Sequence, residues 1–384
     1  MAYEQKHDIS KEPSDKKAGL VPQRLYSLDA LRGFDMLMII GLDNFFHKLA
    51  KASPTPFWTA ISNQFHHPSW NGFHLYDLIF PLFLFIAGVA TPYSIGNRLK
   101  KGSTKSQLLK HVIQRGLILV LLGIIYNNGL QIKPLSEIRF GSVLGRIGLA
   151  YMFANIIYLY TKQKGQIIWF TILLIGYWML LRFTSAPGFP AGDLSMEGNF
   201  VSYFDRLFLP GKLYETIHDP EGILATIPAI GTGLMGILTG NFLKSGEYSS
   251  VRKTMVLAIA GIISLVFSLI WNLDFPINKN LWTSSFVLCT GGFSLLLIAL
   301  FYYIVDVRGF QKWAFPLKVI GMNSILIYLA GEFISWNYTN EALFKWLGQL
   351  VGEQYGPVVL AATIILVQWL FLYFLYRKKI FLKV

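Results

Sequence analysis

The segment His66-His67-Pro68-Ser69-Trp70-Asn71-Gly72 carries the side chains best suited to chemistry. A histidine with an ordinary pKa of about 6.5 takes up or releases a proton near neutral pH, so it suits general acid-base catalysis. Asp77 follows His67 by ten residues and would orient its ring if the loop folds back over the start of the next helix. The structural alternative is a His-Trp loop at a membrane surface, whose polar groups form hydrogen bonds with water and lipid headgroups. Spacing alone leaves both interpretations open.

Other chemical signatures are weak. His66, His67 and His74 offer imidazole nitrogens, but no carboxylate or thiolate accompanies them at a recognised metal-ligand spacing. We therefore predict no metal site. The sequence has neither a Gly-x-Ser-x-Gly elbow nor a Walker loop. The single cysteine, Cys289, cannot form an intramolecular disulfide.

Charged and polar residues also fall inside apolar segments, where they are costly and are functional hypotheses by default. Asp29, Arg32 and Asp35 are spaced three apart and share one helix face, so Arg32 can pair with either acid. The structural alternative is a self-neutralising cluster that only fixes helix packing. The functional interpretation is a polar cavity. For its substrate-binding wall we predict Asp29, Arg32, Asp43, Glu221, Asn323 and Ser324.

The segment His218-Asp219-Pro220-Glu221-Gly222 has two interpretations. Asp followed by Pro is typical of a helix start, with Asp219 as the N-cap. Alternatively, Asp219 and Glu221 are two acids at the mouth of the cavity. The pattern does not separate these interpretations.

The elements that must position these residues are membrane helices. Of the 384 residues, 53% are hydrophobic and 14% are charged, against about 25% charged in ordinary soluble domains. A spanning helix needs about 20 mostly apolar residues. The sequence predicts an all-α protein with about ten spans, at 28–47, 75–97, 112–130, 141–160, 166–183, 222–243, 254–272, 283–305, 315–335 and 357–376.

The distribution of Lys and Arg predicts the orientation. With both termini in the cytosol, the cytosolic segments hold 23 of the 34 Lys and Arg residues and the opposite segments hold nine. The net charge of +13 therefore reflects mainly the excess of Lys and Arg on the cytosolic side, where these residues also attract anionic lipid. Nucleic-acid binding is disfavoured. We predict cytosolic tails at 1–27 and 377–384, and a membrane domain at 28–376 with extracytosolic loops at 48–74 and 184–221.

Eight ordered blocks of the sequence resemble one family, the transmembrane acyltransferases typified by lysosomal heparan-α-glucosaminide N-acetyltransferase. The block at 67–81 begins His67-Pro-Ser-Trp-Asn71-Gly and continues to Asp77. The other blocks lie at 24–33, 143–148, 203–207, 219–227, 276–282, 321–328 and 376–381.

The resemblance implies acetyl transfer from cytosolic acetyl-CoA to the amino group of a glucosamine on the far side of the membrane. It implies that His67 is catalytic, and we assign Asp77 and Asn71 as its partners. We predict that Arg24 binds the phosphates of acetyl-CoA, because bidentate Arg contacts suit phosphates. We predict that Arg146 lies along the path of the pantetheine arm. The chain has Gly331 where the lysosomal enzyme has a histidine, so part of the sugar or CoA site differs.

The wider expectations also rest on the resemblance. They are a bacterial inner-membrane location, a homodimer, and either direct transfer or an acetyl-histidine intermediate. Two alternative functions stay open: an O-acetyltransferase of a cell-envelope polysaccharide, and a sugar or proton-coupled transporter, which intramembrane Asp/Arg pairs would also suit.

The orientation is testable by cysteine labelling in a Cys289→Ser background. A cysteine in the loop between Arg98 and Arg115 is expected to react only from the cytosolic side. Cysteines at position 67 and in the loop 184–221 are expected to react only from the opposite side. Labelling of position 67 from the cytosol alone would overturn the orientation.

Overall fold

The computed structural model describes residues 25–131 and 133–382. Within these ranges all regular elements are helices, apart from two isolated β-bridges, so the predicted all-α fold is confirmed. The α-helices are α1 (Tyr26–Leu37), α2 (Asp43–Ala52), α3 (Pro56–Gln64), α4 (Ile79–Lys100), α5 (Lys105–Asn128), α6 (Val143–Tyr160), α7 (Gln163–Phe183), α8 (Phe200–Phe208), α9 (Thr226–Lys244), α10 (Ser250–Trp271), α11 (Ser284–Phe301), α12 (Phe315–Met322), α13 (Ser324–Phe333), α14 (Trp336–Val351) and α15 (Gly356–Arg377).

Eight helical segments of the described chain are long and apolar enough to cross a membrane. The chain is therefore a multi-pass membrane protein, while a total of ten spans and the cytosolic termini stay predictions. The eight segments coincide with eight of the predicted spans: Leu75–Lys100, Lys105–Asn128, Val143–Tyr160, Gln163–Phe183, Thr226–Lys244, Ser250–Trp271, Ser284–Val307 and Gly356–Arg377.

The other two predicted spans, 28–47 and 315–335, are interrupted helices. A π-helical turn (Met38–Leu42) separates α1 from α2, and within it Gly41 has φ 144°, a conformation that favours glycine. The second interruption is at Asn323, between α12 and α13. Hydropathy could not show either break, because both depend on local backbone geometry within apolar sequence.

The centre of the bundle is formed by α4, α9 and α11, whereas α5, α7 and α10 expose most of their apolar surface. Helices α4 and α9 cross closely because glycines lie at their contact. A Cβ atom on Gly236 would lie only 2.1 Å from the carbonyl oxygen of Phe85. Small residues at such crossings let the backbones approach. Helix α4 is therefore fixed at the centre of the bundle, and Asp77 lies just before its first residue.

Three connecting segments meet at one end of the bundle, which we call the loop face: residues 65–74, 184–225 and 272–283. Trp70 Nε1 donates to the carbonyl oxygen of Leu194 at 2.8 Å, and the Gly72 N–H donates to that of Ile277 at 2.8 Å. The predicted extracytosolic loops 48–74 and 184–221 overlap the first two of these segments and contain the helices α3 and α8. Their location outside the cytosol stays a prediction.

Candidate active site

His67 and Asp77 are in direct contact on the loop face. His67 Nδ1 lies 2.6 Å from Asp77 Oδ1, a hydrogen-bond distance. The Asp77 side chain is fully buried, whereas 48% of the His67 side chain is exposed. Because an ionised carboxylate only accepts hydrogen bonds, the proton of this bond is assigned to Nδ1. The imidazole therefore presents the lone pair of Nε2 away from Asp77.

Lys279 completes this group from a distant part of the chain. Its Nζ atom lies 3.0 Å from His67 Nε2 and 3.5 Å from Asp77 Oδ1. Burial lowers the pKa of Lys279, and the charges of Asp77 and Glu221 act in the opposite direction. The site thus joins an imidazole, a buried carboxylate and an amine.

A cavity begins at these side chains and extends into the helix bundle. Its volume, including the opening to solvent, is about 730 Å³. The polar lining groups are His67, Tyr76, Glu221, Lys279 and Tyr328, and they are outnumbered by apolar ones. The apolar lining is Met36, Ile39, Ile79, Phe80, Phe83, Val143, Leu144, Ile147 and Ile325. A few polar groups at one end of an apolar cavity are typical of a small-molecule site.

The histidine loop is held over the helix start by backbone and amide contacts. Asp77 Oδ2 accepts from the His74 N–H at 2.9 Å. Asn278 Nδ2 donates to Asn71 Oδ1 at 3.0 Å, and the fully buried Asn278 also accepts from the Leu281 N–H at 2.8 Å. Asn71, predicted to be catalytic, is thus placed between the two loops and does not line the described part of the cavity.

Glu221 is held at the cavity by an ion pair with Arg139. Arg139 Nη2 donates to Glu221 Oε2 at 2.5 Å and to Asp219 Oδ1 at 2.9 Å, and Arg139 Nε donates to Asp219 Oδ2 at 3.0 Å. Burial opposes the ionisation of Asp219, but the hydrogen bonds and charge of Arg139, together with the N–H groups of Glu221 and Tyr214, outweigh it and bring the pKa of Asp219 below its usual value. The N-cap interpretation of Asp219 is wrong, because α9 begins only at Thr226.

A second buried polar cluster lies under the segment that carries Glu221. Arg146 Nη2 donates to the carbonyl oxygen of Gly222 at 3.1 Å, and the guanidinium lies 5.2 Å from the centre of the Trp282 ring. Burial raises the pKa of Asp205 to about 6 and lowers the pKa of His218 to about 4. Arg146 is not among the described cavity residues, and its predicted role in binding acetyl-CoA stays a prediction.

The predicted substrate-binding residues are not all in one place. Of them, only Glu221 lines the described part of the cavity. Asp43 lies next to the cavity, because it accepts a hydrogen bond from the hydroxyl of the lining residue Tyr76 at 3.1 Å. Asp29 and Arg32 pair at 3.5 Å in α1, where the Asp29 carbonyl approaches Gly321 of α12.

Asn323 and Ser324 are not on the described wall of the cavity either. Asn323 binds the C-terminal segment: its Nδ2 donates to the Ile380 carbonyl at 2.9 Å and its Oδ1 accepts from the Leu382 N–H at 3.0 Å. Ser324 is buried beside it. Arg24 lies outside the described residues. Over residues 25–131 and 133–382, no three His, Cys, Asp or Glu side chains are placed to hold a metal ion.

Comparison with known proteins identifies the family. A sequence profile described as "Heparan-alpha-glucosaminide N-acetyltransferase, catalytic" matches residues 24–273. The chain belongs to this family. The matched residues include His67, Asp77 and Glu221 of the candidate site.

Two relatives extend the match beyond the profile. The human protein named heparan-alpha-glucosaminide N-acetyltransferase is 30% identical over 429 aligned residues, which cover 97% of this chain. The mouse protein of the same name is 30% identical over 421 aligned residues, which cover 94% of this chain. The chain spans 62% of the length of the human relative and 60% of that of the mouse relative.

Lys279 and Arg139 are site residues that sequence reasoning missed. Both were counted only as charges on the outer side of the membrane. The signal for Lys279 was present, because it belongs to the block 276–282 that resembles the family. No comparable signal marked Arg139, whose partners lie 80 and 82 residues away.

The ion pair under Glu221 is testable through stability. Arg139→Ala leaves the Asp219 carboxylate buried without its cation, which is expected to cost about 3–5 kcal/mol and to lower the thermal unfolding midpoint in detergent. The stabilisation is present above the ordinary pKa of 3.8 and is lost as pH falls through the lower folded-state pKa of Asp219. The difference in unfolding midpoint between Arg139→Ala and the unmutated protein should therefore become smaller at acidic pH.

The matched control is Arg182→Ala on the same face. Arg182 pairs with Asp274 at 3.6 Å with both side chains about half exposed, and such pairs contribute about 0–1 kcal/mol. Equal losses in the two variants at neutral pH would contradict a structural role for the Arg139 pair.

Proposed function

We propose that the chain transfers an acetyl group from acetyl-CoA to the amino group of glucosamine or a terminal glucosaminide. One observation carries the proposal: a half-exposed His67 is oriented by the buried Asp77 at the polar end of an apolar cavity. Membership of the family supports the acetyl donor and the sugar acceptor. The apolar walls suit the thioester arm of acetyl-CoA, and the polar end suits the sugar.

The reaction needs a base because an amine attacks a thioester only in its unprotonated form. His67 Nε2 takes the proton from the acceptor nitrogen as that nitrogen bonds to the acetyl carbon. The C–S bond then breaks, and the imidazolium returns the proton to the CoA sulfur. General-base catalysis of this kind is worth about 10²–10⁴-fold in rate. Asp77 favours the imidazolium that forms between these two steps.

Lys279 supplies a positive charge where the reaction develops a negative one. Its Nζ atom lies 3.0 Å from His67 Nε2 and 3.2 Å from His67 Nδ1, beside the nitrogen at which the acceptor amine must bind. From that position it donates to the thioester oxygen, whose charge grows in the transition state. Glu221, held by Arg139, is left to accept a hydrogen bond from the sugar.

The sidedness of the reaction is also part of the proposal. The loop face, with its cavity opening at His67, is on the extracytosolic side of a bacterial inner membrane, as the distribution of Lys and Arg favours. Acetyl-CoA enters from the cytosol, with its phosphates near Arg24. The acetyl group then meets the acceptor at the loop face.

Substitution of two neighbouring histidines tests the assignment. His67→Ala is expected to lower kcat for glucosamine acetylation by 10²-fold or more, because the base is lost, while acetyl-CoA still binds. His66→Ala is expected to be mild, because the His66 ring stacks on that of His47, 4.3 Å away, and does not line the described cavity. Product formation by purified protein is measured by mass spectrometry.

Folding of both variants is checked by their elution in detergent and by acetyl-CoA binding. Substantial transfer by folded His67→Ala protein, or similar losses from both substitutions, would remove His67 from its role. A single turnover with labelled acetyl-CoA alone separates the two routes: label retained on His67 indicates an acetyl-histidine intermediate, and its absence indicates direct transfer.

A further inference from the structure

Lys279 is the first residue of a tight turn between α10 and α11. The Trp282 N–H donates to the carbonyl oxygen of Lys279 at 3.1 Å, which closes the turn. Thr283 follows as the N-cap of α11, because its side chain accepts from the Phe286 N–H. The turn that carries the lysine therefore continues directly into a helix at the centre of the bundle.

Asn278, the residue before Lys279, has a hydrogen bond at each of its four polar atoms, and it is fully buried. Its N–H donates to Thr283 Oγ1 at 3.1 Å, and its carbonyl oxygen accepts from the Thr283 N–H at 3.1 Å. Its Oδ1 atom accepts from the Leu281 N–H at 2.8 Å, and its Nδ2 atom donates to Asn71 Oδ1 at 3.0 Å. Three of these bonds close the turn, and the fourth joins it to another loop.

That other loop is the one that carries His67. Beside the bond between Asn278 and Asn71, the Gly72 N–H donates to the carbonyl oxygen of Ile277 at 2.8 Å. Gly72 has φ 123°, a conformation that favours glycine. The two loops are thus joined by neighbouring bonds one residue away from Lys279. The distance of 3.0 Å between its Nζ atom and the histidine Nε2 atom depends on this junction.

The end of the turn is held in a costly backbone conformation. Trp282 has φ 51°, in the left-handed region that residues other than glycine rarely adopt. Its fully buried ring packs edge to face against Phe80 of α4, with 4.7 Å between the ring centres, and its Nε1 atom donates to Thr232 Oγ1 of α9 at 3.3 Å. Such conformations persist only where the surroundings over-determine them, and they cluster at functional sites.

A rigid turn matters for Lys279 because a lysine side chain is a point charge on a flexible stem. An amine that stabilises a developing charge must be in place before the reaction begins. A misplacement of about 1 Å costs about 10²-fold in rate. The central helices and the Asn278 hydrogen bonds fix the backbone from which this side chain extends.

We propose that Asn278 is a positioning residue, which through Asn71 fixes the backbone of Lys279 so that its Nζ atom lies at His67. Asn278 does not line the described cavity, so it acts through the lysine. The inference rests on the proposed acetyl transfer and on the role of Lys279 in it. It also gives Asn71, predicted from the sequence to be catalytic, a positioning role.

A double-mutant cycle in kcat for glucosamine acetylation tests the inference. Lys279→Ala is expected to lower kcat by about 10²-fold, because the donor to the thioester oxygen is lost. Asn278→Ala is expected to lower kcat by about tenfold or more, with little change in the KM for acetyl-CoA. In Lys279→Ala protein, adding Asn278→Ala is expected to change kcat by less than about twofold, because no amine is left to position.

The matched control is Asn155→Ala. Asn155 is also fully buried, and in α6 it accepts from Thr91 Oγ1 at 2.9 Å and donates to the carbonyl oxygen of Tyr151 at 2.7 Å. Its loss is expected to lower the thermal unfolding midpoint and to leave kcat within about twofold. A fall in kcat as large as that of Asn278→Ala would show that loss of any buried amide has this effect, and would contradict the positioning role.

A second cycle decides the matter where Asn278→Ala protein does not fold. Asn71→Ala removes the same hydrogen bond from the exposed side of the junction. Its loss in kcat is also expected to disappear in Lys279→Ala protein. Losses that multiply in either cycle contradict positioning through Lys279.

The outcomes separate this inference from the proposed function. An unchanged kcat in Lys279→Ala protein contradicts the role of the lysine, and the positioning by Asn278 with it, while acetyl transfer stands. Failure of the unmutated protein to acetylate glucosamine contradicts the proposed function, and the inference that rests on it.

Discussion

A carboxylate that water cannot reach must form its hydrogen bonds within the protein. Asp77 is such a carboxylate, and its partners must come from the loop face. Its two oxygens are taken by the His67 ring and the His74 N–H, and Lys279 supplies a nearby positive charge. These partners come from two separate loops. Satisfying one buried acid at the start of a central helix therefore brings the loops together and leaves Nε2 of the histidine facing the cavity.

The neighbouring charges obey the same constraint with different partners. Asp219 is buried against Arg139, and this pair also holds Glu221 at the cavity wall. The result is a site whose polar end is built from pairs that satisfy one another, while its walls remain apolar. A preorganised arrangement of this kind stabilises a developing charge without reorganising during the reaction.

Much of the architecture could be predicted from the sequence, because apolar length and helical structure are local properties. The contact between His67 and Asp77 was also within reach, since only ten residues separate them. Lys279 was not, because it meets His67 across 212 residues, and no local pattern encodes such a contact. The backbone breaks at Gly41 and Asn323 were hidden by their apolar surroundings.

We propose that Asp77 holds His67 in the tautomer that leaves Nε2 free to act as the base. The most direct measurement is kcat for glucosamine acetylation by Asp77→Asn protein, with the KM for acetyl-CoA measured alongside. An asparagine amide can donate to Nδ1 and so favours the other tautomer. We expect a loss in kcat of about 10²–10⁴-fold with little change in the KM for acetyl-CoA. A folded Asp77→Asn protein that keeps more than about half of the unmutated kcat would contradict it.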